Sequence, residues 1–506
     1  MIHGNRRHPR PDNVKFRFLA RTVSFAFALS LSAPVGAQGL YAGSKGARVM
    51  GRAGAFGAKA DDLSAVEYNP AGLTYVEKTD LQLSNRFSYN QTKFQRVPTL
   101  EDGEIVSFDG VQNQTPWQGL EPLLGVVSNF GLKDFAFAAT AYAPAGTSKL
   151  TFSPGSVEAD EEGAQRYMMV ERESAILIYA LSTAYKYRDV FGVGATFQWI
   201  HVPRLNYSLI VAPVGFGIGA DKVNAQFDMQ ADVAGSDPFI PNAVVGAWVQ
   251  PIKQLRLSLS GQVIPAEIKS KSTIHVARAT SGAELDLVRD DPNTPTRETE
   301  PVENDVELRV PLPLWARAGA QLIQDKFDLE LNVTWHGWSR VDTFVLDSLV
   351  GGVGLSGSLG GATIPIDVVN IEKNWKNTLT FQLGGDVQVI ADKLTLRAGV
   401  AYETPTADKA SAHVDFATGH HFTGAVGASL FIKKFELAAA FAHRRQVPIN
   451  ITEAEGAVYV EVPGTSCEPP YDSVSCPYPG QPSGTVNGGN HQSFSHFLAL
   501  DGIYRF

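Results

Sequence analysis

Gly51-Arg-Ala-Gly-Ala-Phe-Gly-Ala-Lys-Ala-Asp-Asp-Leu-Ser-Ala-Val-Glu-Tyr-Asn-Pro-Ala-Gly72 is the stretch on which the fold turns. It is rich in Gly and Ala, contains a Pro, and keeps neither a period of 2 nor one of 3.6, so it specifies neither a strand nor an amphipathic helix. With so little apolar side chain to bury, it cannot repay the entropy of ordering its own backbone. It needs another structure to enclose it, and the rest of the chain predicts that enclosure.

From Thr79 onward the sequence repeats one grammar. Two runs with apolar residues at alternate positions are joined by a very short charged turn, and a longer polar loop follows. The short turns are Leu132-Lys133-Asp134, Tyr187-Arg188-Asp189, Ile252-Lys253-Gln254, Gln324-Asp325-Lys326, Ala391-Asp392-Lys393 and Ile432-Lys433-Lys434. Six such turns join twelve strands, and a first and a last strand bring the count to fourteen. The strands are expected over 79–94, 120–131, 135–145, 174–187, 190–204, 242–251, 255–276, 305–323, 327–345, 377–390, 394–404, 421–431, 435–447 and 492–506. In Leu394–Ala401, Leu394, Leu396, Ala398 and Val400 share one face, opposed by Thr395, Arg397, Gly399 and Ala401. In Phe327–Thr334, Phe327, Leu329, Leu331 and Val333 oppose Asp328, Glu330, Asn332 and Thr334. Side chains alternate across a strand, so one face suits lipid and the other a polar lumen. An even strand number with short turns on one side and long loops on the other is the pattern of a transmembrane β-barrel.

A soluble sandwich shows the same alternation; the end of the chain decides between them. Phe506 closes the sequence, with Tyr504, Gly502, Leu500 and Leu498 at every second position before it. Phe506 and Tyr504 suit the interfacial girdle, where amphipathic rings are favoured. Closure is required because an open sheet edge in hydrocarbon leaves backbone amides unsatisfied, at several kcal/mol each.

The front of the chain reads as export. Arg6, Arg7, Arg10, Lys15, Arg17 and Arg21 precede the apolar run Val23–Leu31, and Val35-Gly36-Ala37 offers small residues for cleavage, giving a signal peptide over 1–37. The Arg6-Arg7 pair suits a generic basic front better than twin-arginine export, because no apolar run follows it directly. No later segment reaches the ~18–20 apolar residues of a spanning helix. A net charge of −9 carries no basic bias and speaks against a nucleic-acid partner. Mean hydropathy of −0.07 is too polar for a helical membrane protein.

Long loops are expected over 95–119, 146–173, 205–241, 277–304, 346–376, 405–420 and 448–491. The last holds both cysteines, Cys467 and Cys476, and two Cys close together in an exported chain suit one loop disulfide. No His lies between them, so a metal site is not expected there.

The order Gly-Arg-Ala, Ala-Asp-Asp, Asn-Pro-Ala within Gly51–Ala71 resembles the hatch of the FadL-type outer-membrane transporters, the long-chain fatty acid and aromatic-hydrocarbon channels of Gram-negative bacteria. Trp335-His-Gly-Trp-Ser339, Trp375-Lys-Asn-Thr378 and Leu396–Tyr402 also resemble later parts of that family, whereas the loops do not. The last strand resembles the closing-strand signal of bacterial outer-membrane barrels, which implies contact with the barrel-assembly machinery. By this resemblance 38–78 is a hatch carrying Gly51, Asp61, Asp62, Asn69, Pro70 and Ala71, and 79–506 is the barrel around it. It further implies an outer groove, a tighter inner site lined by the hatch's amino end (Gln38, Gly39, Leu40), and a gap in the wall where strand 3 ends at Tyr142–Gly146, bordered by Tyr142, Pro144 and Gly146. Pro lacks a ladder donor and Gly tolerates unusual angles, which suits a break there.

A carboxylate ligand needs a cation in a partly dry site. The polar strand faces offer Arg309, Arg317 and Arg397; alternatively these pair with Asp328, Glu330, Asp386, Glu403 or with Asp61 and Asp62 to seat the hatch. No catalytic residue or cofactor is expected. His201, His336, His443 and His496 fall in no nucleophile motif, the neighbours His420 and His421 point apart on extended chain, and Gly351–Gly357 lacks the strand-turn-helix context of a dinucleotide loop. The expectation is therefore an all-β, fourteen-stranded antiparallel barrel, monomeric, in an outer membrane with its lipid and lipopolysaccharide, admitting long-chain fatty acids or aromatic hydrocarbons. A general porin, a barrel enzyme and an adhesin are the rival classes; a porin should lack the Gly51–Gly72 segment.

Overall fold

The structure, a computed structural model, describes residues 45–101, 104–144, 149–153, 155–156, 161–162, 164–165, 167–211, 229–278, 286–290, 306–347, 354–359, 362–366, 368–458 and 485–506. The expected signal peptide, Gly39, Leu40, Gly146, Cys467 and Cys476 lie outside these residues.

Fourteen antiparallel ribbons form one closed ring. They are β1 (Thr79–Arg96), β2 (Trp117–Ser128), β3 (Phe135–Tyr142), β4 (Glu171–Tyr187), β5 (Phe191–Val211), β6 (Met229–Ile252), β7 (Leu255–Gln262, continued by Glu267–Arg278), β8 (Val306–Pro311 and Trp315–Ile323), β9 (Phe327–His336 and Thr343–Asp347), β10 (Thr378–Ile390), β11 (Leu394–Glu403), β12 (His421–Ile432), β13 (Phe435–Gln446) and β14 (Gly489–Arg505). Each pairs with its neighbours in sequence. The ring closes by β1 against β14, in unbroken register from Asp80↔Arg505 to Arg96↔Gly489. Arg188, Asp392 and Lys433 take positive φ at the centres of three short turns, which lets two strands reverse within a few residues.

The expected alternation is present. Leu83, Leu181, Val193, Leu259, Leu331, Leu383, Val400, Leu437 and Leu500 point outward in a continuous band. Leu181 and Leu259 are 65% and 63% exposed, an arrangement that only lipid makes favourable. Phe135, Tyr187, Phe327, Phe435 and Phe506 rim the band at the short-turn end, and Trp117, Trp199, Trp335 and Phe422 at the long-loop end.

Two features differ from the sequence expectation. Of the loop expected over 205–241, residues 205–211 and 229–241 instead continue the β5–β6 ladder, from Leu205↔Gly235 to Val211↔Met229. Pro203 and Asp237-Pro238 interrupt the pattern, but register shifts at Ile200/Val202 and Val202/Leu205 absorb them and the pairing resumes. The single long runs expected at 255–276, 305–323 and 327–345 are each broken in two, near Pro265, at Pro311-Leu312-Pro313 and after Gly337.

Preceding the ring, Lys45–Lys78 forms a compact segment with two one-turn helices, α1 (Ala47–Met50) and α2 (Ala65–Tyr68), and a 3-10 helix, Pro70–Tyr75. Its residues hydrogen-bond to inward side chains or backbone on β1, β6, β7, β8, β9, β10 and β14, so it touches the ring around its circumference. Gly384 and Gly399 lie so close to the Arg52 backbone that a Cβ at either position would overlap it.

Candidate functional site

The N-terminal segment is seated on a buried ionic lattice. Arg52 is 0% exposed, and its Nη1 lies 2.6 Å from both Asp328 and Asp386, with Nη2 3.3 Å from Glu330. Glu330 also accepts the backbone N–H of Ala58 (2.7 Å) and Lys59 (3.1 Å), and Asn332 accepts that of Gly57 (2.8 Å). Every one of these acceptors sits on the inward face of β9 or β10, two residues apart, so period-2 geometry presents them as one row. Arg48 bridges Asp61 (2.8 Å), Asp62 (3.4 Å) and Glu436 (3.5 Å). Burial pushes the Asp61 carboxyl up, but Arg48 and Lys59 outweigh it and hold the group below the usual carboxylate range. Burial pushes Asp62 up, against the pull of Arg48.

On the opposite side the contacts are neutral. The Asn69 side chain donates to the carbonyls of Gly57 (2.9 Å) and Ala247 (3.2 Å) and accepts the Ala71 N–H (3.2 Å), capping the 3-10 helix that begins at Pro70. Trp248 Nε1 donates to the Ala71 carbonyl at 3.1 Å. A Cβ on Gly246 would collide with the Asn69 side chain.

Beyond the segment, towards the long loops, the inward faces change character. At the segment's level they are polar: Gln82, Ser84 and Arg86 on β1, Glu330, Asn332 and Thr334 on β9. In the outer continuations they are apolar: Leu205, Tyr207 and Leu209 on β5, Met229, Ala231 and Val233 on β6, Val306, Leu308 and Val310 on β8, Phe344 and Leu346 on β9. These join Phe56, Leu63 and Leu73 of the segment in one continuous apolar cluster. Polar groups interrupt it, among them Ser270 and Ser272 on β7, Arg172 over the Phe416 ring at 4.5 Å, and a buried ionic cluster. Lys373 Nζ lies 2.6 Å from Asp415, whose other oxygen is 2.7 Å from His413 Nδ1, and Tyr207 donates its hydroxyl to Asp415 at 3.3 Å. Burial pushes the Asp415 carboxyl up, yet His413 and Lys373 outweigh burial and hold it below the usual range. Burial holds His413 down. Trp338, Trp375, Phe344 and Phe416 wall this spot with edge-to-face contacts at 5.2–6.3 Å.

Besides the breaks in β7, β8 and β9, the wall is interrupted where β3 ends against β4. β3 pairs with β4 up to Tyr142↔Ile178, and the β4 ladder resumes with Lys149–Thr151 from Glu173↔Lys149. Ser174–Leu177 therefore lie between two paired stretches on that edge, and β4 carries a register shift against β5 at Ala175/Leu177, at the same level. Tyr142 accepts a hydrogen bond from Gln198 (2.7 Å). Lys45 reaches the carbonyl of Ala143, next to Pro144, so the described start of the N-terminal segment abuts the interruption.

The structure does not bring the three arginines read from the sequence together. Arg317 and Arg397 face inward at the N-terminal segment: Arg317 donates to the Tyr68 carbonyl (3.2 Å), and Arg397 meets Asp386 (3.2 Å) and Ser429 (2.6 Å). Arg309 stands at the outer end of β8, paired with Glu307 (2.6 Å) and Asp347 (2.9 Å). Asp61 and Asp62 pair within the segment, with Arg48, rather than with strand arginines. Sequence reasoning missed Arg48, Arg52, Lys373 and Asp415. Arg52 carried a signal: it stands in a Gly/Ala stretch, and Asp328, Glu330 and Asp386 lie on faces opposed to lipid. Lys373 and Asp415 lie in connecting segments without a period, where nothing in the sequence points to them.

The family model for outer membrane protein transport protein (OMPP1/FadL/TodX) matches residues 28–467. Among solved structures, a Pseudomonas aeruginosa FadL homologue aligns over 94% of this chain and 100% of its own, at 18% identity and a TM-score of 0.64. The P. putida toluene transporter TodX aligns over 88% and 94%, at 13% identity and 0.56. The Ralstonia pickettii toluene transporter TbuX aligns over 92% and 99%, at 15% identity and 0.53. At such identities the likeness is one of fold. The comparison with curated proteins gives no match.

Proposed function

The chain belongs to the OMPP1/FadL/TodX family of outer membrane transport proteins, and from that premise we propose that it is a passive uptake channel for hydrophobic small molecules in a Gram-negative outer membrane, with long-chain fatty acids as its ligands. In this reading residues 1–37 are a signal peptide, 38–78 a hatch and 79–506 the barrel. The observation that carries it is the change of the inward faces from polar at the hatch to apolar beyond it. A watery pore gives an apolar solute no favourable binding, whereas apolar lining supplies about 25 cal/mol per Å² buried. The Lys373–Asp415–His413 spot supports a ligand with a polar head, because a carboxylate has a cation to exchange onto there.

Lateral exit is the proposed route out. Tyr142, Pro144 and Gly146 border the opening, and release of Lys45 from Ala143 moves the hatch's leading end away from it. Gly46, at φ 79°, supplies a pivot between that end and the seated remainder. Gly39 and Leu40, preceding the pivot, line the inner site. The Arg52 lattice holds Gly51–Ala60 in place, so movement is confined to the residues before α1. The family's members are transport proteins, which supports a channel over an enzyme.

A second reading, uptake of aromatic hydrocarbons, is favoured by the four-ring wall of Trp338, Phe344, Trp375 and Phe416. Whole-cell uptake of labelled oleate and labelled toluene separates the two: saturable oleate uptake above the vector control, with toluene unchanged, supports the first. The reverse supports the second, and uptake of neither by correctly folded protein refutes transport.

A further inference from the structure

Three adjacent strands assemble a graded patch on the outward face near the long-loop end. β14 lies between β1 and β13, so its register lays out the patch in rows. Lys93 stands opposite Gln492; one row further from the rim, Phe494 has Arg445 beside it; in the next, His496 is flanked by Tyr89 and His443; below that, Leu498 is flanked by Phe87 and Phe441. The side chains between these positions, such as Ser88, Arg444, Ser495 and Phe497, are buried on the other face, so the rows share the outward side. From the rim inward the order is cations, then rings with polar edges, then hydrocarbon.

The ring layer is continuous. The imidazoles of His443 and His496 stack at 4.7 Å with Nδ1 atoms 3.1 Å apart, Tyr89 lies 6.1 Å from both His496 and Phe494, and Trp117 meets Tyr89 edge-on at 4.9 Å. Cations near the long-loop end fall into two groups, and those above this layer belong with Lys271 and Arg340, which have no carboxylate partner among the described residues. Arg204, Lys149, Arg309 and Lys376 each have a carboxylate within 2.9 Å. Lys93 and Arg445 have none among the described residues, and both side chains reach solvent. Two strand spacings and one two-residue row separate their backbone positions, about 12 Å.

We propose that this face binds a phosphorylated, multiply acylated glycolipid of the outer leaflet. Its phosphates meet Lys93 and Arg445, its sugars lie over the Tyr89–His496–His443 layer, and its acyl chains lie along Phe87, Leu498 and Phe441. Two separated cations above a ring layer favour a bis-phosphorylated sugar over phosphatidylglycerol, which offers one phosphate and no ring. The proposal rests on the outer-membrane reading and is independent of the transport path.

Native mass spectrometry of the full-length protein in detergent, titrated with bis-phosphorylated lipid A, tests it. The wild type is expected to hold a lipid A adduct, and K93Q/R445Q to hold it about tenfold more weakly, for two rim charges removed. Lipid A stripped of phosphate should weaken to the same degree on the wild type, and phosphatidylglycerol adducts should not differ between the two proteins. Equal lipid A affinity in a double variant that keeps its heat-modifiable folded barrel overturns the proposal, as does equal competition by phosphatidylglycerol or displacement by inorganic phosphate alone. Oleate uptake by K93Q/R445Q is expected to match the wild type, so failure here is distinguishable from failure of the transport reading.

Discussion

Replacing Arg52 with Ala removes the one cation that meets Asp328, Asp386 and Glu330 together. Breaking a buried ion pair by deleting one partner costs about 3–5 kcal/mol. The low end applies here, because the carboxylates keep other partners: Lys59 stays 2.9 Å from Asp328, Arg397 stays 3.2 Å from Asp386, and Glu330 keeps two backbone amides. About 3 kcal/mol shifts the seated-to-unseated ratio of the N-terminal segment by roughly 150-fold. The barrel ladders do not pass through Arg52, so the barrel itself should remain folded. Maleimide labelling reads the effect at Ala65→Cys, a position with 0% exposure, against the protein lacking that cysteine. In the R52A background the labelling rate should rise by about two orders of magnitude, with higher conductance in planar bilayers. R52M/D328N, which removes one charge from each side and leaves Asp386 to Arg397 and Lys59, should recover part of the wild-type protection. Unchanged labelling and conductance in R52A, with the barrel intact, would refute the claim that this lattice seats the segment.

Asn69→Ala deletes three hydrogen bonds that hold the start of the 3-10 helix, and should cost about 1–3 kcal/mol, seen as faster hydrogen exchange over 57–75 with β-strand protection unchanged. The Asp415 carboxyl is held below its unfolded value, so its contribution is complete above about pH 4 and is lost as pH falls towards the folded value. Exchange protection of 412–418 should therefore drop in acid, and D415N should flatten that profile. K373M/D415N keeps the spot neutral while removing the cation, and should weaken oleate binding about tenfold while leaving toluene binding unchanged in competition assays. Equal loss for both ligands would assign Lys373 to packing alone.

Strand number, polarity and closure were legible because each depends on a local pattern: alternate apolar positions, short charged turns, an aromatic end. Phe327–Thr334 illustrates it, since its two faces meet lipid and the N-terminal segment as its period of 2 demands. The β5–β6 extension was not legible, because Pro203 and Asp237-Pro238 look like strand ends and only a register shift in the paired strand reveals that the ladder resumes. The ionic lattice was half legible. Asp328, Glu330 and Asp386 were recognisably inward, but their partner Arg52 lies 276 residues or more away, and long-range pairing leaves no mark in a single sequence. Lys373 and Asp415 meet from two connecting segments, 42 residues apart, where neither period nor motif operates.

In the proposed path, apolar ligand enters the outer chamber, passes the seated segment's leading end and leaves through the side of the barrel. Photolysis of a diazirine-labelled long-chain fatty acid bound to the purified protein, with the adducts mapped by mass spectrometry, tests it most directly. Adducts are expected on Leu308, Val310 and Phe344 in the chamber and on Tyr142 and Ser174–Leu177 at the wall interruption. Adducts confined to the outward band, or to the charged mouth beneath the segment lined by Lys59, Asp61, Arg256 and Gln321, would contradict that path.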